Sequence, residues 1–230
     1  MTGILLVDKP SGWTSFDVVN YVRKIVANEE GKKPKNIKVG HCGTLDPFAT
    51  GLLILLIGKE YTSQAQNYTK LDKTYEITMH FGAKSSTGDP EGELTQLPGP
   101  KITEPQLNSA LEMFTGVILQ KPPIFSAIKV NGQRAYKLAR AGQQVDLEPR
   151  EITINDIKLK NLEYPIARIV ASVSSGTYIR SLVEDIAHSL KTSAYTEVLR
   201  RTVVGDFSVD NAIQIDGLTA AKINKNLIEK

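Results

Sequence analysis

The chain has 230 residues, 41% of them hydrophobic and 23% charged, with 28 Lys and Arg against 25 Asp and Glu. This is the composition of an ordinary soluble globular protein, long enough for one large domain or two small ones, and a net charge of +3 neither demands nor excludes a nucleic-acid partner. The single cysteine, Cys42, excludes an intrachain disulfide and suits a reducing compartment, and one Cys with three scattered His gives no zinc-ligand spacing.

The chain opens on a strand-like segment, Ile4 to Val7, in place of a basic region followed by a long apolar stretch. No signal peptide or membrane span is therefore expected, and the cytoplasm is the expected location. A turn at Lys9-Pro10-Ser11-Gly12 leads into a helix. Thr14 and Asp17 approximate a capping box, and Val18, Val22 and Ile25, flanked by Val19 and Val26, lay an apolar stripe along it. Glu29 to Lys38 is polar, with Lys32, Lys33, Lys35 and Lys38. Such a run is either a solvated loop or a set of phosphate contacts that hold RNA by charge without reading bases.

Gly40 to Gly51 follows, reading Gly-His-Cys-Gly-Thr-Leu-Asp-Pro-Phe-Ala-Thr-Gly, and runs into the apolar block Leu52 to Ile57. The block predicts a fully buried strand or a buried helix segment. The glycines ahead of it let the backbone bend sharply or approach a ligand closely. Asp46 precedes Pro47, which biases it away from helical geometry and fixes its direction; on its own it would be an Asx-turn or a helix cap.

The clearest strand lies in Leu71 to Gly82, where Tyr75, Ile77, Met79 and Phe81 alternate with Glu76, Thr78 and His80. Tyr75 then reads as a core-face aromatic and His80 as solvated. Ala83 to Gly92 is turn-rich. Thr103-Glu104-Pro105-Gln106 caps a helix carrying Leu107, Ala110, Leu111 and Phe114 on one face, stopped at Gly116. Gln120 to Arg150 departs from regular periodicity: Lys121, Lys129, Arg134, Lys137, Arg140 and Arg150 face only Asp146 and Glu148, with Phe125 and Tyr136 interleaved. That pattern fits either a solvated hairpin or an arm that grips nucleic acid. Ala167, Ile169, Ala171 and Val173 alternate through a further strand. The helix after it buries Ile179, Leu182, Val183, Ile186, Ala187 and Leu190, with Arg180 off that stripe on the first turn. An arginine there opposes the helix dipole and calls for a negative partner. A short helix, Leu218 to Ile223, closes the chain. Strands and helices alternate without βαβ regularity, which fits an α+β sheet protein.

Five strings, in one order, resemble the TruB-type tRNA pseudouridine synthases. They are Asp8-Lys9-Pro10-x-Gly12-x-Thr14-Ser15, the Gly40 to Leu53 stretch, Lys73-x-Tyr75 with Phe81-Gly82, Gly176-Thr177-Tyr178-Ile179-Arg180-Ser181-Leu182, and Leu199-Arg200-Arg201-Thr202-x-x-Gly205-x-Phe207. The segment from Pro122 to Gly142 resembles that family's RNA-gripping thumb. A loop string is matched in part, by Thr87, Asp89 and Gly92. The resemblance implies the pseudouridine synthase fold, a mixed, largely antiparallel sheet flanked by helices, as a single catalytic domain over residues 1–230. It places a basic thumb insertion at 120–150 and leaves no room for the family's C-terminal PUA-type domain.

It also implies the reaction, isomerisation of uridine to pseudouridine at position 55 in the T-loop of tRNA, without cofactor or metal. Asp46 is then the catalytic residue and Tyr75 stacks on the target base. Tyr178 lies in the pocket, Arg180 pairs with Asp46, Leu199 packs near the base, and His41 is the wedge that a flipped base requires. Lys9, Lys129, Arg134, Lys137, Arg140, Arg200 and Arg201 are expected to contact RNA. The expected partner is the T-arm stem-loop of tRNA, bound by a monomer. The alternatives are a non-catalytic RNA-binding or RNA-folding protein on the same fold, or a synthase acting on another RNA.

Overall fold

The structure is a computed structural model. It describes residues 1–126, 128–130, 132–143 and 146–229, and for Lys129, Tyr136, Ala139 and Arg140 the backbone alone. In chain order the elements are β1 Gly3–Lys9, α1 Ser15–Glu29, β2 Val39–Cys42, β3 Thr50–Ile57, α2 Lys59–Thr62, α3 Ala65–Thr69, β4 Lys73–Phe81, the hairpin β5 Ala83–Ser85 and β6 Leu94–Gln96, α4 Glu104–Phe114 and β7 Gly116–Gln120. There follow the hairpin β8 Lys129–Val130 and β9 Gln133–Arg134, α5 Ala135–Arg140, β10 Arg150–Glu163, β11 Ile166–Val173, α6 Ile179–Ser189, β12 Ala194–Val204, β13 Phe207–Ser208, β14 Ile213–Gln214 and α7 Ala220–Lys225. The chain divides into two compact units, Met1–Glu76 with Leu199–Lys230, and Ile77–Val198. The strands β4 and β12 run through both division points.

In the first unit β1 pairs antiparallel with β3 from Gly3↔Ile57 to Lys9↔Gly51, and β14 lies parallel to β1 on its other side. The apolar block is thus a strand, completely buried from Gly51 to Ile57. Its second edge is shared. β2 covers the far half, ending at Cys42↔Ile54, and β12 lies parallel against the near half at Arg200↔Thr50 and Arg201↔Gly51. Gly51 makes that approach possible: φ is +102°, and a Cβ there would stand 2.2 Å from the Arg201 carbonyl oxygen. The helix α1 starts on the expected capping box, with Thr14 and Asp17 bonded reciprocally. It buries Val18, Val19, Val22 and Val26 against Leu5, Val7, Leu53, Leu55 and Ile57. On the opposite face of the sheet Ile4, Leu6, Leu52, Ile54 and Leu56 pack with Cys42, Tyr61, Val204 and Phe207.

In the second unit the strand order is β12-β4-β11-β10-β7, with β11, β10 and β7 successively antiparallel. The strand β4 keeps the predicted alternation, with Ile77, Met79 and Phe81 buried. Helix α4, capped by Thr103 and Gln106, packs on β10 and on α6. The strand β10 is long and escapes period-two reading for a physical reason. Its register shifts between Ile154 and Asp156 and again between Leu159 and Asn161, so buried Ile152 and Ile154 are followed by buried Ile157, on the other parity. Among the described residues no helix is long and apolar enough to cross a membrane.

Candidate active site

Asp46 sits half-buried in the loop from 43 to 49, which joins β2 to β3. The loop has no regular structure, yet its backbone is held at nearly every second residue. The Ser15 hydroxyl accepts the Leu45 N–H at 2.9 Å and donates to the Leu45 carbonyl at 3.2 Å. The Pro47 carbonyl accepts from the Gly12 N–H at 2.8 Å and from the Lys9 ammonium at 3.1 Å. Ser11 Oγ donates to the Phe48 carbonyl at 3.1 Å, and the Asp46 carbonyl closes a turn onto the Ala49 N–H at 3.1 Å. The opening string, Lys9 to Ser15, is therefore the cradle of the Asp46 loop.

Two of the residues expected to meet RNA are interior braces. Lys9 is 0% exposed, its ammonium also held by the carbonyls of Pro10 and Trp13 at 2.9 and 2.6 Å. Arg201 is 1% exposed, its Nε donating to the Leu52 carbonyl at 2.8 Å and its Nη2 to the Gly43 carbonyl at 3.1 Å. Both expectations are corrected. A buried cation must satisfy its donors on protein groups, and here those groups are carbonyls of the loop and its flanks. Arg200, the next residue on β12, faces the other way and forms a bidentate pair with Asp8 at 3.0 and 2.8 Å, keeping about a third of its side chain exposed. It is first of all a partner of Asp8, and Gln214 completes that carboxylate at 3.0 Å.

A further buried cation, Lys73, stands in the sequence only as the first residue of the Lys73-x-Tyr75 string. Its ammonium donates to the carbonyls of Thr69 and Leu71, and its Cε lies 3.5 Å from where a Cβ on Gly43 would be. Burial and the neighbouring Arg201 push its pKa down to about 8. Burial likewise lowers the pKa of His41, with Arg201 adding to the effect, which favours the neutral imidazole; among the described residues its buried Nδ1 has no hydrogen-bond partner. The Cys42 thiol is pushed up to about 11 by burial and stays protonated. Tyr75 is buried and shares the face of β4 that carries Lys73, while Leu199 is buried on the face of β12 that carries Arg201.

Tyr178 and Arg180, two further residues of the sequence-based expectation, belong to the second unit. Arg180 is buried, not off the stripe, at the first turn of α6. It meets the negative partner its position calls for: Nη1 lies 3.3 Å from the Asp89 carboxylate and donates to the Thr87 carbonyl at 2.6 Å, and Nη2 donates to the Phe125 carbonyl at 2.9 Å. Asp89 is itself 3% exposed and accepts from Thr87 Oγ1 at 2.6 Å and the Glu91 N–H at 3.0 Å. The partial loop string held the signal for it, an Asp kept amid turn residues. Tyr178 caps α6, and the buried Gln120 amide grips its N–H and carbonyl at 2.8 and 3.0 Å. The 120–150 segment forms the small hairpin β8–β9 and helix α5, with Arg134 and Lys137 exposed; the side chains of Lys129 and Arg140 lie outside the described residues. His80, expected in solvent, stacks on Tyr195 at 5.2 Å and bonds Glu197 at 3.1 Å. Among the described residues no cluster of His, Cys, Asp or Glu could hold a metal ion.

The class this architecture falls in is that of the pseudouridine synthases: the profile of the TruB family pseudouridylate synthases (N-terminal domain) matches residues 30–179. The tRNA pseudouridine synthase B of Solibacter usitatus (strain Ellin6076) is 44% identical over 219 residues, covering 95% of this chain and 72% of the relative. That of Flavobacterium johnsoniae is 41% identical over 213 residues, 92% of each. Among solved structures, Cbf5 in a Cbf5–Nop10–Gar1 complex superimposes with a TM-score of 0.69 at 28% identity, covering 92% of this chain and 52% of that one. A chain of an H/ACA RNP bound to a substrate RNA containing 2′-deoxyuridine gives 0.66 at 25%, covering 93% and 51%. The chain spans about half the length of these two solved chains. It belongs to the TruB family of pseudouridylate synthases.

Proposed function

We propose that this chain isomerises uridine to pseudouridine in tRNA, at position 55 of the T-loop, with Asp46 as the catalytic carboxylate. The observation that carries the reading is the fixing of the Asp46 loop by Lys9, Ser11, Gly12, Ser15 and Arg201. A reacting carboxylate gains most when its geometry is set before substrate arrives.

The chemistry suits the residue types. The N1–C1′ bond breaks, the uracil turns, C5 bonds C1′ and gives up its proton, and N1 takes one up. No electrons are gained or lost overall, so the isomerisation calls for no redox cofactor. An ionised carboxylate serves as nucleophile or as the anion that stabilises a cationic sugar, as in glycoside chemistry. The base must leave the RNA stack first, and neutral His41 is the wedge that takes its place. Tyr75 supplies the stacking face, Leu199 packs near the base, and Tyr178 is a further candidate base contact. Arg180 is a buried cation seated on the Asp89 carboxylate. Arg134 and Lys137, with Lys129 and Arg140, hold phosphates.

Mapping pseudouridine in transcribed tRNA, with and without the protein, tests this. Conversion at position 55 is expected. Conversion elsewhere would overturn the site, and none at all the activity.

A further inference from the structure

We propose that Phe16, seated over Arg23 on helix α1, is a stacking platform for an unpaired base of the substrate RNA, separate from the residues assigned to the target uracil. The inference rests on the proposed RNA substrate.

Phe16 is 57% exposed on the first turn of α1. A single exposed apolar side chain is unremarkable on its own; what lies beneath this one is not. The Arg23 guanidinium carbon is 5.6 Å from the ring centroid, within cation–π range. That guanidinium cannot wander: Nη1 donates to Asn20 Oδ1 at 2.8 Å and Nη2 to the Val39 carbonyl at 3.0 Å. Among the described residues its buried Nε has no hydrogen-bond partner. The ring is therefore backed by a fixed positive charge and presents its outer surface to solvent. A flat aromatic face held in place suits a flat, electron-rich partner, and any nucleobase meets that description.

Position argues for RNA over a protein side chain. Phe16 follows Ser15, whose hydroxyl grips Leu45 next to Asp46. Val39, which holds Arg23, begins the strand that carries His41. Both halves of the pair are thus tied to the two segments that deliver the candidate catalytic loop. Lys24 is exposed on the same helix, as is Glu29, and Lys33, Lys35 and Lys38 are exposed on the segment that joins it to the strand of Val39. The nearby acid, Asp17, already accepts from the Thr14 N–H and hydroxyl as the helix cap. An RNA whose target base is flipped out has unstacked neighbours in need of a new partner, and this ring stands beside the loop that receives the target.

The test measures Kd for full-length tRNA and for a T-arm stem-loop by anisotropy, with the whole chain. Phe16→Leu keeps apolar bulk and loses the aromatic face; it should raise Kd about tenfold, the scale of one lost base stack. Phe16→Trp should restore binding to within about threefold of wild type. Phe16→Ala should match the leucine variant, and melting curves check that all three fold. Leucine binding as tightly as phenylalanine would overturn the platform, because bulk alone would then suffice. The two readings fail separately. Wild type that binds tRNA but makes no pseudouridine removes the proposed activity while the leucine and tryptophan comparison still reports on stacking. Wild type that is active, with leucine equal to phenylalanine, removes the platform alone.

Discussion

The Asp46 loop and the 120–150 segment are both irregular and glycine-containing, and they are held together to different degrees. In the loop, carbonyls and amides at residues 43, 45, 47 and 48 are each taken by a side chain or amide from outside it, and two of the donors are fully buried cations. Beyond the Gln120 amide and the Phe125 carbonyl, which meet Tyr178 and Arg180, the described part of the segment has a hairpin of two-residue strands, one short helix and an exposed ion pair, Lys121 with Asp146, of a kind that contributes little. The difference teaches that irregular backbone is not one category. Chemistry needs a carboxylate fixed to within a fraction of an ångström, whereas grip on a phosphate backbone needs charge within reach. Perturbing the first region should therefore cost turnover and stability, and perturbing the second should cost affinity and salt dependence.

The largest effect is expected at the centre of the loop. Asp46→Asn should abolish pseudouridine formation while leaving tRNA affinity within about tenfold, ~1.4 kcal/mol; appreciable yield under single-turnover conditions would remove Asp46 from the chemistry. Next comes the brace. Arg201→Met leaves the Leu52 and Gly43 carbonyls without their buried donor, at about 1–3 kcal/mol each. Stability should fall by roughly 2–4 kcal/mol in denaturant melts, with turnover falling alongside. A variant as stable as wild type would mean that the loop is held without it.

The sequence made the loop legible as a site and hid how it is built. Periodicity finds β4, β11, α1, α4 and α6, because each buries one consistent face, while an apolar run marks β1, which is buried on both faces. It misses β10, whose bulges move the buried set to the other parity, and β2, which is four residues long and contains a glycine. The errors over Lys9 and Arg201 have a common origin. Charge predicts exposure unless backbone carbonyls converge on it, and those carbonyls come from residues as far away as Pro47 and Leu52. No local pattern carries that information. Asp89 and Lys73 escaped for the same reason, as each gains its meaning from a partner brought in by folding.

Lys73 gives a smaller and pH-dependent test of how tightly the loop's floor is packed. Its folded pKa of about 8 lies below the ordinary 10.5, so the unfolded chain holds the proton more tightly. Below pH 8 the buried ammonium costs its full penalty; as pH rises toward 10.5 the folded protein loses the proton first and the penalty fades. Wild type should then gain stability relative to Lys73→Met between pH 8 and 10, by at most about 1.4 kcal/mol per pH unit. Titrations shared by both proteins cancel in that difference, and a flat difference across the window would place the ammonium in contact with water.

The smallest effect, and the one that bears most directly on the contrast, is expected in the arm. Arg134→Ala with Lys137→Ala removes two exposed charges. Melting should move within the range of ordinary surface changes, about 0.5 kcal/mol. Affinity for tRNA should weaken by roughly tenfold at physiological salt, and the slope of log K against log salt should flatten by about 1.5 to 2, because each lost phosphate contact returns less than one counterion. The rate at saturating enzyme is the discriminating readout. Loop variants should lower it, whereas the arm variant should shift the concentration needed to reach it. An unchanged salt slope would make these two residues ordinary solvated charges. A lowered saturating rate would mean instead that the arm helps to place the target base, and the division between a region built for chemistry and one built for grip would fail on the arm's side.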